Sequence, residues 1–341
     1  LSLTANIPFL QSRLLDWFAA NKRKLPWRGQ NNVYYTLVSE FMLQQTQVKT
    51  VIPYFFRFIG RYPTITELAA ASADDLVKLW EGLGYYNRVH NLYKTAIIVN
   101  SDYKGIIPDN YEAIIELPGI GPYIAAAILS IGYNQPFAVV DGNVKRVLSR
   151  LFEISDPVND SKFYKVFQEK ADQLLAPDQP GEFNEALMEL GATICRPGTP
   201  DCHQCPLTAH CRAYHNDTVA NFPFRKRKAR RQVVHKTVYV INSNNGWQSY
   251  VRVRHDQRFL RGLTEIQLFA EPLAGLEVEK LHRHAVTHDY THFREVVSIA
   301  VVKKLKTAKH LKTQTIDQNF IDKNALTGVS HKLIAFIRQI G

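Results

Sequence analysis

The sequence predicts an all-α region over residues 1–212, joined by a basic segment, 213–232, to a smaller α+β domain over 233–341. Three observations carry this. Apolar residues recur at helical spacing through the first two thirds of the chain, with Pro and Gly between the runs. After residue 233 the pattern turns to β-branched and aromatic runs. At 341 residues the chain is long enough to bury two cores. Within Tyr35–Tyr54, Leu37, Phe41 and Val48 share one helical face, with Val38 and Met42 beside it. Asp74–Trp80, Tyr111–Leu117, Tyr123–Ile131 and Asn143–Phe152 give further helical patterns, punctuated by Pro63, Gly82, Gly84, Pro108, Gly119, Gly121 and Pro136. Residues 233–242, 247–254 and 296–302 read as strands, and Phe320–Ile340 as a closing helix. No internal repeat is visible.

A formal charge of +11 favours a polyanionic partner, although charge alone leaves an ordinary basic enzyme equally open. Six of the seven residues from Arg225 to Arg231 are basic, which reads first as a solvated linker and second as a phosphate-contacting strap. No apolar run approaches the length of a membrane span, and no signal-peptide pattern opens the chain.

All four cysteines, Cys195, Cys202, Cys205 and Cys211, fall in one segment spaced C-x6-C-x2-C-x5-C. Thiols so close in sequence point to one four-ligand metal site, and their confinement there to a reducing compartment. Structural zinc usually shows two tight pairs. One tight pair with a single cysteine outside each end favours a [4Fe-4S] cluster over zinc. Four protein ligands leave no open position, so the expected role is structural.

Leu117–Tyr123, LPGIGPY, sits between two helical patterns. Gly119 and Gly121 let the backbone approach a partner and expose amides at the start of the next helix, where an anion is favoured. This is how a helix-hairpin-helix grips a phosphate without reading sequence. Asp141 ends an apolar run, and on spacing alone it reads first as the cap of a helix starting near Asn143.

LPGIGPY, then VVDGNVKRVLSR (Val139–Arg150), then the cysteine loop resemble the endonuclease III superfamily of DNA glycosylases, and within it the MutY family of adenine DNA glycosylases. LPWR (Leu25–Arg28), SEFMLQQTQV (Ser39–Val48), GLGYY (Gly82–Tyr86) and FNEALMELGATIC (Phe183–Cys195) extend the resemblance from about Arg13 to Cys211. It implies an all-α helix-hairpin-helix glycosylase domain with a [4Fe-4S] loop. One lobe would cover about residues 23–131, and a cluster lobe would join 1–22 to 132–212. The C-terminal α+β domain would be Nudix-like, similar to MutT, and would help to recognise 8-oxoguanine. The implied partner is double-stranded DNA containing A:8-oxoG or A:G mispairs, bound by a monomer without membrane association. The implied location is the bacterial cytoplasm, at the nucleoid, or the nucleus of a eukaryote.

Releasing adenine from deoxyribose requires a proton on the departing base and negative charge near an oxocarbenium-like sugar, a task for two carboxylates. Glu40 lies beside the apolar stripe of its helix, where desolvation raises a carboxyl pKa. The resemblance makes Glu40 the acid and Asp141 the anion that stabilises the sugar, with Tyr123 and Asn143 hydrogen-bonding nearby. Bifunctional relatives carry a lysine where Tyr123 stands. Tyrosine cannot form their Schiff base, so the expected product is an abasic site with the strand uncut. Arg23, Leu25, Trp27, Arg28 and Glu185 match the family's adenine pocket. Gln45, with Thr46 beside it, and Tyr85 match the segments that enter the duplex, and Gly82 and Gly84 permit close approach to DNA.

In the second domain the resemblance is thinner. Tyr290-Thr291-His292 stands where the family has Phe-Ser-His, and Thr264 where it usually has tryptophan. No acidic Nudix box is present, so pyrophosphatase activity is not expected. His282, His284, His288 and His292 fit no familiar zinc spacing and read as surface or DNA-facing groups. A thymine or uracil mismatch glycosylase is the alternative enzyme, against which Glu40 argues, and a DNA-binding protein without catalysis the alternative non-enzyme, against which intact Glu40 and Asp141 argue.

Overall fold

The computed structural model describes residues 6–30, 32–227, 231–243, 246–254, 262–290, 293–306 and 311–340. The chain forms two compact units. The helical unit takes residues 1–70 and 91–228, and the sheet unit takes 71–90 together with 229–341.

The helices in chain order are α1 (Ile7–Asn21), α2 (Val33–Leu43), α3 (Val48–Arg61), α4 (Ile65–Ala69), α5 (Ala73–Leu79), α6 (Asn87–Asp102), α7 (Tyr111–Ile115), α8 (Pro122–Ala127), α9 (Gly142–Phe152), α10 (Tyr164–Leu174), α11 (Pro180–Thr193) and α12 (Arg212–His215). Leu10, Leu14 and Phe18 of α1 pack against Val144, Val147 and Leu148 of α9, Phe167 of α10, and Phe183 and Leu187 of α11. The first helix therefore shares one core with the last long helices of the unit. Helix α2 packs on α3 and α8, burying Leu37, Val38, Phe41 and Met42. Asn32 starts it by accepting from the amides of Tyr34 and Tyr35.

The single helix expected over Tyr35–Tyr54 is two helices. Gln44–Gln47 offer no apolar side chain to bury, and Gln45 takes a left-handed conformation, φ 56°, that breaks the ladder. The expected helix over Tyr123–Ile131 is α-helical only to Ala127, then widens into a π turn, Ile128–Gly132.

Two expected boundaries also differ. Much of the 213–232 linker is folded onto the helical unit: Arg150 Nε donates to Phe222 O at 3.0 Å, Val158 N to Phe224 O at 3.0 Å, and the Asn159 amide pairs both ways with the Lys226 backbone. Of the basic run, residues 228–230 lie outside the described residues. Residues 71–90, expected in the helical region, belong to the sheet unit because α5 and the loop after it bond to the C-terminal segment.

The sheet unit contains β1 (Gln232–Ser243), β2 (Gly246–Val253), β3 (Thr264–Ile266), β4 (Val278–Asp289), β5 (Phe293–Val302) and β6 (Lys312–Thr315), followed by α13 (Gln318–Lys323) and α14 (Gly328–Ile340). The strand order is β3-β2-β1-β5-β4, with β6 also on β2; β1 and β5 run parallel and the remaining pairs antiparallel. Alternation sets the faces. Val238 and Val240, with Val297 and Ile299, bury against Leu333, Ile334 and Ile337 of α14. Tyr239, with Ala300 and Val302, packs on the opposite side. The closing helix expected over Phe320–Ile340 is interrupted by 324–327, where Thr264 N donates to Ala325 O and Thr327 N to Thr264 O. Among the described residues no helix is long and apolar enough to cross a membrane.

Candidate active site

Within the helical unit a cavity of about 510 Å³ is lined by Glu40, Asp141, Tyr123 and Asn143, and equally by Arg23, Leu25, Trp27, Arg28, Glu185 and Thr46. Glu40 is 5% exposed on the last turns of α2. Tyr123, in the first turn of α8, donates its hydroxyl to Glu40 Oε2 at 2.6 Å. Burial pushes Glu40 up to about 7, the Tyr123 bond pulling it back and the Asp141 and Glu185 charges adding to the rise. Burial and the two carboxylates hold the Tyr123 hydroxyl well above its ordinary value, so it stays neutral and donates. With Oε2 accepting that bond, the acid proton of Glu40 is left to Oε1.

Asp141 does two jobs. Oδ1 accepts from Val144 N at 2.6 Å, capping α9, and Oδ2 accepts from Asn143 Nδ2 at 2.9 Å. Burial raises its pKa, while those donors and Arg146 oppose the rise. Asn184 fixes the approach to Asp141, accepting from Val139 N at 3.0 Å and donating to Phe137 O at 2.8 Å. Arg146 fixes the Asn143 amide by donating to its Oδ1 at 2.8 Å, and also reaches Gly191 O and Cys195 O, both at 2.7 Å. A neutral carboxyl opposite a hydrogen-bonded carboxylate can protonate a leaving base while stabilising a cation.

The polar wall of the cavity is an ionic network. Arg28 Nε bonds Glu185 Oε1 at 2.8 Å and Arg28 Nη2 bonds Glu189 Oε2 at 3.2 Å; Arg23 makes a two-point bond to Glu189 at 2.5 and 2.9 Å. Trp27 is braced edge-on by Phe55, ring centres 5.2 Å apart. Sequence reasoning missed Glu189 and Arg146. Glu189 was detectable, since it stands one helical turn after Glu185 on the same face. Arg146 stands one turn after Asn143 on α9, a spacing that could have paired them, whereas its bonds to Gly191 O and Cys195 O left no local signal.

Gly191 lets α9 and α11 cross closely: a Cβ there would lie 2.6 Å from Asn143 Cβ and 3.1 Å from its carbonyl carbon and oxygen. Gly191→Ala is therefore expected to cost about 1–3 kcal/mol and to displace Asn143. Thermal melting and single-turnover base release, measured together, check this.

The other expected residues lie outside the cavity. Gly119 has φ +80°, and a Cβ there would meet Asn91 Cβ at 2.7 Å and Phe41 at 3.0 Å, so only glycine fits. Gly121 caps α8 without a side chain. Gln45 is exposed. Gly82, Gly84 and Tyr85 belong to the sheet unit, with Tyr85 45% exposed. Tyr290 meets His288 edge-on and Phe293 at a tilt, ring centres 4.5 and 4.6 Å away, whereas Thr291 and His292 lie outside the described residues.

Cys195, Cys202, Cys205 and Cys211 all line a second void, of about 30 Å³. Among the described residues no group of three or more His, Cys, Asp or Glu side chains is arranged to hold a metal ion. The donor chemistry nevertheless suits a thiophilic group. Burial pushes the Cys205 thiol up to about 12 and Cys211 up to about 11, with neighbouring cysteines adding to both. Such thiols stay protonated unless a cationic group displaces their protons. Arg150 Nη1 lies 3.3 Å from Cys195 Sγ and would help to balance thiolate charge.

Residues 38–173 match the model of the HhH-GPD superfamily of base excision DNA repair proteins, a span that holds Glu40, the 117–123 hairpin and Asp141. An adenine DNA glycosylase of Buchnera aphidicola subsp. Schizaphis graminum is 33% identical over 291 residues, covering 82% of this chain and 83% of that protein. The chain belongs to the adenine DNA glycosylase family. Family members from Buchnera aphidicola subsp. Baizongia pistaciae and from mouse are 42% and 43% identical over 66% and 62% of this chain, which spans 64% and 42% of their own lengths. Among solved structures, a thermostable thymine-DNA glycosylase is 28% identical with TM-score 0.57, covering 62% of this chain and 98% of that one. An endonuclease III–DNA complex, 21% identical with TM-score 0.54, shares the fold.

Proposed function

We propose that the chain is a monofunctional adenine DNA glycosylase, hydrolysing the N-glycosidic bond of adenine opposite 8-oxoguanine or guanine and leaving an abasic site. The observation that carries the proposal is Glu40, a buried carboxyl titrating near 7 and facing Asp141 across one cavity. The adenine is flipped from the stack, at a cost of a few kcal/mol, into the space between the Trp27 and Leu25 walls and the Arg28–Glu185 edge. Glu40 protonates the base. As the bond to the sugar lengthens, Asp141 stabilises the positive charge that develops, and water completes the displacement.

The 117–123 hairpin holds the backbone through the amides at the start of α8. Gln45, Thr46 and Tyr85 enter the duplex. The sheet unit serves as a Nudix-like lesion-recognition domain, with Tyr290 at its reading loop. Binding falls steeply with salt as phosphate contacts release counterions. The thymine-DNA glycosylase neighbour keeps a mismatch thymine glycosylase as the second reading.

Duplexes with A:8-oxoG, A:G and T:G, treated with enzyme and then with or without alkali, test these statements. Adenine release from the first two, with strand scission only after alkali, is expected. Scission without alkali would overturn the argument from Tyr123, and release of thymine alone would favour the second reading.

Cys195, Cys202, Cys205 and Cys211 would hold a [4Fe-4S] cluster, whose role is to clamp the 195–222 segment onto α9. Native protein is expected to carry about four irons and about four acid-labile sulfides per chain. Cys202→Ser is expected to lower both and to reduce the melting temperature. Stoichiometric zinc in place of iron would replace the cluster with the alternative site.

A further inference from the structure

The loop Gly82–Tyr86 is built to present Tyr85. Gly82, Gly84 and Tyr85 have φ of 91°, 76° and 49°, three left-handed residues in four. A non-glycine residue in that region is held there by its surroundings. The side chain of Arg88 supplies the hold, with Nη2 donating to Leu83 O at 3.1 Å and Gly84 O at 2.9 Å, and Nε to Tyr85 O at 3.3 Å. The Arg88 guanidinium also sits 5.4 Å from both the Trp80 and Tyr85 rings, and Trp80 Nε1 donates to Gly84 O at 3.1 Å.

The stem of this loop is fastened to the C-terminal segment of the same unit. Glu81 Oε1 accepts from Leu326 N at 2.7 Å and pairs with His331 Nε2 at 2.9 Å. Its Oε2 accepts from Lys78 Nζ at 2.7 Å, and that ammonium also donates to Ile321 O at 3.0 Å and Asn324 O at 2.9 Å. Despite the cost of burial, the His331 and Lys78 contacts hold Glu81 below the usual carboxylate range. The carbonyls and amide it organises flank the interruption between α13 and α14, and Thr264 of β3 bonds to the same stretch through Asn324 Oδ1 at 3.1 Å. Glu81 thus joins the base of the loop to Leu326 and α14, and its partner Lys78 joins it to the end of α13 and to Asn324, to which Thr264 of β3 also bonds.

We infer that Glu81, with Lys78, is a positioning residue: it makes the Tyr85 loop and the C-terminal sheet one rigid piece, so that recognition of the mispaired base by the sheet sets the stance of the aromatic wedge. The inference rests on the proposed mispair specificity. Its logic is preorganisation, since a loop that is free to swing must be ordered on binding at an entropic cost.

The test is a double-mutant cycle in the full chain. Wild type, Glu81→Ala, Tyr85→Ala and the double variant are measured for affinity on an A:8-oxoG duplex and on a fully paired duplex, and for single-turnover base release at saturating enzyme. Glu81→Ala is expected to weaken mispair binding about tenfold, with fully paired binding and the saturated rate moving less than threefold. The double variant should be no weaker than Tyr85→Ala. Glu81→Gln, which keeps an acceptor for Leu326 N, should recover part of the loss. Lys78→Met, which removes two anchors by another route, should give the same non-additive cycle if Glu81→Ala proves unstable. Additive losses, or undiminished mispair binding in Glu81→Ala, would overturn the inference. Absence of adenine release by the wild type would instead overturn the proposed function.

Discussion

Glu40→Gln is expected to lower the rate of base release by about 10²–10⁴-fold, the usual contribution of a positioned general acid. The glutamine carbonyl still accepts from Tyr123, so the pocket keeps its shape while losing its only acidic proton at that point. In the wild type, the single-turnover rate should fall about tenfold per pH unit above the Glu40 pKa of about 7. Any residual rate of the variant should lack that limb.

Stability should also fall as pH rises, over a lower window. A carboxyl whose folded pKa stands above its ordinary 4.5 binds its proton more tightly in the folded state. Its contribution is therefore full below about 4.5, shrinks as pH rises, and is gone above about 7. Wild type should lose stability relative to Glu40→Gln across this window, by up to about 3 kcal/mol at pH 8. Melting curves at pH 5 and pH 8 check the sign. A difference in melting temperature between the two proteins that is the same at pH 5 and pH 8, together with an unchanged rate, would remove Glu40 from the mechanism.

Asp141→Asn is expected to cost about 10²–10³-fold in the same rate, the scale of losing one preorganised electrostatic contact. The helix cap should survive, because asparagine caps about as well as aspartate and can still accept from Val144 N, but its amide NH2 then faces the Asn143 Nδ2 donor and that one hydrogen bond is lost. A large fall in rate with only a small fall in melting temperature separates charge from capping. A finer consequence concerns Glu40, whose pKa the Asp141 charge helps to raise. Removing that charge should lower it, so the alkaline limb of the residual activity should shift to lower pH. A limb that stays in place would show that the two carboxyls do not sense each other.

Sequence reading reached most of the cavity because its residues sit in short, chemically distinctive motifs. LPWR, the segment around Glu40, the hairpin and the VVDGN run each supply one wall, and their residue types match the task of protonating a purine. Glu189 escaped notice because it acts on Arg23 and Arg28, distant in the chain, and Arg146 because its backbone anchors at Gly191 and Cys195 are distant although Asn143 is one turn away. A buried glutamate that ties down two arginines looks, in one dimension, like any charged helix residue. The break at Gln44–Gln47 was missed for a similar reason: apolar periodicity on either side of it stays in phase, and only backbone geometry reveals the left-handed turn at Gln45.

Domain boundaries were the least legible feature. Composition changes near 212, yet the backbone of Phe222–Lys226 is satisfied by side chains and amides of the helical unit, and residues 71–90 join the sheet unit through Glu81 and Lys78. Neither fact follows from local pattern, because hydrogen bonds between distant segments leave no periodic trace. By itself the sequence determined the helix-then-sheet order, the two carboxyls brought to one cavity and the clustered thiols, since these depend on residue type and short-range spacing. Only tertiary structure decided how far the Glu40 carboxyl is desolvated, what anchors the Arg146 that holds the Asn143 amide, and which unit carries the Tyr85 loop, since each depends on what packs against a side chain from elsewhere in the fold.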